Sequence, residues 1–184
     1  MLVRTLEVEE TPLKDAFIIK PLEFTDERGV FYKLFNEEIL KEVGFTQNFP
    51  EQYISISKKG VLRGLHYQSG GFSQGKLIQC IKGEVHDVIL DLRKKSATFG
   101  QWAGITLSQK NMHTIAIPRG FAHGFAVQSN EAVMLYHVDN HYSAAHERGV
   151  RWNDPSLGID WKINKPILNE KDATFPLFKD AEYF

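Results

Sequence analysis

Short runs of alternating apolar and polar residues dominate the chain. VHDVILDLR (85–93) sets His86, Val88, Leu90 and Leu92 on one face and Asp87, Asp91 and Arg93 on the other, with Ile89 breaking the pattern. Period-2 patterning of this kind predicts a strand with one buried face. KLIQCI (76–81) precedes it across Lys82-Gly83-Glu84, which predicts a hairpin. WAGITLS (102–108) and MHTIAIP (112–118) predict a second hairpin, and HGFAVQ (123–128) and AVMLYHV (132–138) a third. QYISIS (52–57) places Tyr53, Ser55 and Ser57 opposite Ile54 and Ile56. In VLRGLHYQ (61–68), strict alternation sends Arg63 and His66 to opposite faces unless Gly64 introduces a bulge.

One helix is expected near the start, from an Asn36 N-cap through EEILKEV to a Gly44 stop. After Tyr142 the alternation fades, and the turn-rich, aromatic SAAHERGVRWNDPSLGIDW (143–161) is expected to wrap the sheet. Many short strands separated by turns predict an all-β sandwich or barrel rather than a βαβ fold.

Composition narrows the function. A chain of 184 residues, 42% hydrophobic, suits one domain spanning 1–184 with a sizeable core. Its 22 basic and 23 acidic residues leave a net charge of -1, which argues against nucleic-acid or membrane-surface partners. The single cysteine, Cys80, excludes an intramolecular disulfide and a cysteine-based zinc site, and fits a reducing cytoplasm. MLVRTLEVEETPL (1–13) lacks the apolar core of a signal peptide, and no apolar run reaches transmembrane length.

The candidate chemistry is polar. Pro118-x-Gly120-x-x-His123 matches half of the metal-binding pattern of cupins, but His66-Tyr67-Gln68 lacks the second histidine of the other half, so no metal is expected. Arg28, Arg63, Lys76 and Arg119 each adjoin a glycine, an arrangement that lets backbone and cation approach a phosphate together. Tyr136 and Tyr142 are candidates for base stacking or proton donation. A histidine base needs a carboxylate partner, and Asp26, Asp87, Asp91, Asp160 and Asp172 all remain open for that role.

Together FTDERGVF (24–31), KKGVLRGLHYQ (58–68), QGKLIQCIKGEVHDVILDLRKKSATFG (74–100), IPRGFAHGF (117–125), HERGVRWNDPSLGIDW (146–161) and PILNEKD (166–172) resemble the dTDP-4-dehydrorhamnose 3,5-epimerase family over nearly the whole chain. The resemblance implies a cupin-type β-jelly roll with a few short helices, without metal or other cofactor. It also implies a homodimer in which an N-terminal strand crosses to the partner. The substrate it implies is a nucleotide sugar with a ketone at carbon 4, inverted at carbons 3 and 5 through an enolate.

By the same resemblance His66 is the base, Asp172 its partner, Tyr136 the acid and Lys76 the cation near the carbon-4 oxygen. Arg63 and His123 then line the sugar and phosphate pocket, Tyr142 stacks on the thymine, and Arg28 and Phe31 reach the neighbouring subunit's nucleotide site. Glu51 and Tyr53 occupy positions where many members carry a nucleotide-holding glutamine and asparagine, and His141 replaces a common aromatic. A single-centre epimerase is the alternative within the enzyme class. A nucleotide-sugar binding protein and a metal-dependent cupin are the alternatives outside it.

Overall fold

The chain's alternating runs become strands in two facing antiparallel sheets, in a computed structural model that describes residues 6–46 and 48–184. Residues 1–5, part of the segment read for a leader, and Gln47 lie outside the described residues. The strands are β1 (Glu7–Glu10), β2 (Phe17–Lys20), β3 (Leu22–Asp26), β4 (Gly29–Lys33), β5 (Glu51–Lys58), β6 (Leu62–Gln68) and β7 (Lys76–Lys82). They continue with β8 (Glu84–Asp91), β9 (Trp102–Ser108), β10 (Thr114–Ile117), β11 (Phe121–Val127), β12 (Glu131–Val138) and β13 (Glu147–Gly149). One sheet runs β1-β2-β10-β7-β12-β5, the facing sheet runs β13-β6-β11-β8-β9, and β3-β4 forms a separate ribbon. The result is a jelly roll.

The three expected hairpins do not form. β7 and β8 lie in different sheets, as do β9 and β10, and β11 and β12. Each short connection carries the chain across to the facing sheet instead. Turn residues mark where the chain reverses, but the hydrogen-bond partner is set by how the sheets fill, so β7 pairs with β10 and β12 while β8 pairs with β11 and β9.

The expected burial also needs correction. β8 is buried on both faces. Val88 and Leu90, with Leu92 just beyond the strand, face an outer apolar layer, and the polar face, carrying Asp87 and Asp91, points between the sheets. β5 is inverted in the same sense: Ser57 is buried, while Ile54 and Ile56 are 55% and 59% exposed. A sandwich that holds a polar site between its sheets hides polar side chains and needs a second cover for its apolar outer faces.

That cover comes from the region after Tyr142, as expected. Trp152, Leu157, Ile159 and Trp161 pack on the outer layer of β6, β8 and β11. Trp161 Nε1 donates to Trp152 O at 2.7 Å and Trp102 Nε1 to Leu157 O at 2.8 Å, which satisfies both indoles. On the other sheet, α1 (Glu37–Glu42) lies near the β2-β10-β7 side, where Ile39, Leu40 and Val43 meet Ile19 and Leu77. Its start is the expected one, with Asn36 Oδ1 accepting from Ile39 N at 2.9 Å. Among the described residues no helix is long and apolar enough to cross a membrane.

Candidate active site

The bulge in β6 makes the site. His123 faces His66 and Phe125 faces Arg63, so Gly64 and Leu65 together oppose Gly124 alone. The extra residue resets the alternation. Leu62, Leu65 and Tyr67 all join the outer apolar layer, and Arg63 and His66 both turn inward. Gly64 is obligatory here: its φ is +124°, and a Cβ would sit 2.5 Å from Gly124 Cα and 2.8 Å from His123 O.

Arg63, His66, Gln68 and His123 from one sheet face Tyr53, Ser55, Lys76 and Tyr136 from the other, around a pocket of about 210 Å³ whose mouth is bordered by Tyr142 and Glu147. A larger cleft of about 470 Å³ is lined by Arg93 and Arg119. There Arg93 is held by Asp91 and Asp15, and Arg119 by Asp139 at 3.0 Å, and among the described residues no histidine lines this cleft. The smaller pocket is therefore the candidate site, and Arg119 stays outside it.

Asp172 is positioned by a helix that alternation does not reveal. In α2 (Glu170–Thr174), Asn169 caps the first turn by accepting from Asp172 N at 2.6 Å. Asp172, 1% exposed, accepts from His66 Nε2 at 2.7 Å and from Gly64 N at 3.1 Å. Burial pushes the Asp172 carboxyl up, but the hydrogen bond and charge of His66 and the Gly64 N–H hold it below its ordinary value. An ionised Asp172 fixes the proton on Nε2, so His66 Nδ1 is the ring nitrogen left to accept a proton. The other acidic candidates are engaged elsewhere: Asp91 with Arg93, Asp26 with Arg28, Asp160 with Lys162 and Asp87 with His123.

The remaining pocket groups are tuned mainly by burial. Burial pulls Lys76 down to about 8, against the opposing charges of Asp87 and Glu147. It pushes the Tyr136 phenol well above its ordinary value and Tyr53 up to about 12. Both phenols are therefore neutral donors near neutral pH. His123 Nε2 lies 2.8 Å from Asp87 Oδ2, forming a second histidine–carboxylate pair. Arg63 Nε donates to Ser57 Oγ at 2.9 Å.

At the mouth, the Tyr142 hydroxyl donates to Glu147 Oε2 at 2.8 Å, and Lys171 holds Glu147 Oε1 at 2.5 Å. Gln68 pins this rim, accepting from Ser143 N at 2.6 Å and donating to His141 O at 3.0 Å. Glu51, expected as a substrate contact, does not line this pocket. Its Oε1 accepts from Tyr142 N at 3.0 Å and lies 3.3 Å from His141 Nδ1, so its charge braces the rim. Arg28 and Phe31 are not brought to this pocket within one chain. They lie on the β3-β4 ribbon, where Arg28 pairs with Asp26 and Phe31 is 66% exposed.

Sequence reasoning missed Glu147, Gln68 and Asn169, and it left Asp87 unassigned. Asn169 had a legible signal, an N-cap residue followed by acidic first-turn positions. Among the described residues no group of three or more His, Cys, Asp or Glu is arranged to hold a metal ion.

Comparison with known proteins bears on this geometry. The family model described as dTDP-4-dehydrorhamnose 3,5-epimerase matches residues 10–180. A dTDP-4-dehydrorhamnose 3,5-epimerase of Shigella flexneri is 47% identical over 180 residues, covering 97% of this chain and 99% of that protein. The crystal structure of the enzyme of that name from Elizabethkingia anophelis NUHP1 superposes with a TM-score of 0.93 at 48% identity, covering 97% and 99% of the two chains. A dTDP-6-deoxy-D-glucose-3,5-epimerase from Legionella pneumophila Philadelphia 1, solved in complex with dTDP-4-keto-L-rhamnose, superposes with a TM-score of 0.92 at 41% identity over 97% and 95%.

Proposed function

The chain belongs to the dTDP-4-dehydrorhamnose 3,5-epimerase family, and on that premise we propose how its pocket turns dTDP-4-dehydro-6-deoxy-D-glucose into dTDP-4-dehydro-L-rhamnose. The observation that carries the reading is the His66–Asp172 pair facing Tyr136 and Lys76 from the opposite sheet. The ketone at carbon 4 acidifies the hydrogens at carbons 3 and 5. His66 Nδ1 takes one of them, the C–H electrons move to the carbon-4 oxygen, and the Lys76 ammonium stabilises that enolate. Tyr136 then returns a proton from the other face and inverts the centre. The phenolate this leaves is disfavoured by burial, so it recovers a proton from solvent, and the His66 imidazolium gives its proton up to solvent, before the next inversion. Asp172 stabilises the imidazolium throughout. Each step is a proton transfer, and none consumes an oxidant or reductant.

Arg63, near Ser57 and partly exposed, is suited to the diphosphate, and His123 to the sugar. Tyr142, exposed at the rim and braced by Glu51 and Glu147, is suited to stack on the base. The β3-β4 ribbon carries exposed Phe24, Val30 and Phe31 and no core of its own. This supports a homodimer in which the ribbon docks on a second copy and delivers Arg28 and Phe31 to that copy's nucleotide site. Cys80, the single cysteine and buried in the core, suits a cytoplasmic setting.

Proton NMR in deuterated water tests the assignment. The parent protein should place deuterium at both carbons 3 and 5, and His66→Ala at neither. Exchange that survives in His66→Ala sinks the base assignment, and exchange at one carbon in the parent favours a single-centre reaction.

A further inference from the structure

Tyr53 is paired directly with Tyr136 in the register of β5 and β12. Their rings stack with centroids 4.9 Å apart and planes at 21°. His123 meets the Tyr136 ring edge-on at 6.2 Å and 74°. The Tyr136 hydroxyl has a long contact to Ser55 Oγ, 3.5 Å, which is too weak to aim the phenol. Its direction is therefore set by the rings that grip it. The stacked one comes from an edge strand at a position where the family resemblance calls for asparagine.

We infer that Tyr53 is a positioning residue: its ring fixes the plane of Tyr136 so that the enolate is protonated from the face opposite His66. The inference rests on Tyr136 being the acid. When Tyr136 is misaimed, the enolate carbon recovers its proton from the His66 imidazolium on the original face. The C–H bond reforms with its first configuration, and in deuterated water it carries deuterium from the exchanged imidazole. Loss of Tyr53 thus appears as exchange without inversion. That separates a positioning role from a structural one, because partial unfolding lowers both signals by the same factor.

The test compares Tyr53→Ala, Tyr53→Phe and Tyr136→Phe with the parent in deuterated water. It reads the ratio of inverted product to deuterated, uninverted substrate at early times. Tyr53→Ala should lower this ratio about tenfold, the factor that ~1.4 kcal/mol represents and within the range of an aromatic pair. Tyr53→Phe keeps the ring and should restore the ratio to within about twofold of the parent, since rings stack without the hydroxyl. A parent-like ratio in Tyr53→Ala, or no recovery in Tyr53→Phe, overturns the inference. The Tyr136→Phe ratio tells the two readings apart. A fall there beside a parent-like Tyr53→Ala defeats the positioning role alone, whereas a parent-like Tyr136→Phe defeats the acid assignment and this role with it.

Discussion

His66 and Asp172 act as a unit because one oxygen of a buried carboxylate accepts from the imidazole and the other from the Gly64 N–H. Folding depresses the Asp172 pKa, so its contribution to stability is complete above the ordinary value of 3.8 and is lost as pH falls through the folded value. Thermal melts from pH 6 down to about pH 2 should therefore show a steeper fall in Tm for the parent than for Asp172→Asn; parallel curves would mean that Asp172 is not held ionised by folding. Lys76 gives the opposite limb. With a pKa of about 8 it loses its charge as pH rises through that value, and kcat should fall with it. Lys76→Met should lower kcat by about 10²–10³ and abolish that limb, as removal of an oxyanion stabiliser does. A limb that persists in Lys76→Met would belong to another group.

At the scale of the element, the β6 bulge converts an alternating strand into one with two inward polar residues. Gly64→Ala forces a Cβ into the Gly124 backbone at a φ of +124°. It should destabilise the protein by ~1–3 kcal/mol, measured by chemical denaturation, and reduce activity even where the protein stays folded. Parent-like stability and activity would mean that β6 needs no bulge. This element also marks how far the sequence is legible. A glycine between Arg63 and His66 announced the bulge, but only its partner strand β11 reveals that the bulge turns both residues inward. Strand positions were readable because alternation is local, and strand partners were not, since β7 and β8 part to different sheets. The helix that carries Asp172 is five residues long, too short for a 3.6-residue period to register, although its Asn169 cap was in view.

For the whole molecule, two apolar surfaces stand exposed, the β3-β4 ribbon and the outer face of edge strand β5 with Ile54 and Ile56. Edge strands with apolar faces rarely stay uncovered. Replacing both isoleucines with lysine should convert the proposed dimer to a monomer in light scattering and weaken nucleotide binding, since the proposed reach of Arg28 into the second copy would be lost. A parent that is already monomeric would refute the dimer, and a doubly substituted dimer would move the seam elsewhere. The polar interior has its own consequence. Asp87 is fully buried, with Oδ1 lacking a hydrogen-bond partner among the described residues, beside a Lys76 whose charge burial disfavours. Such groups are maintained against stability, and well-packed apolar replacements are often neutral or stabilising. A lineage released from catalysis would therefore drift fastest at Asp87, Lys76 and His123 toward leucine and valine. Finding those residues in a jelly roll of this shape would mark a retired enzyme more surely than loss of any rim contact.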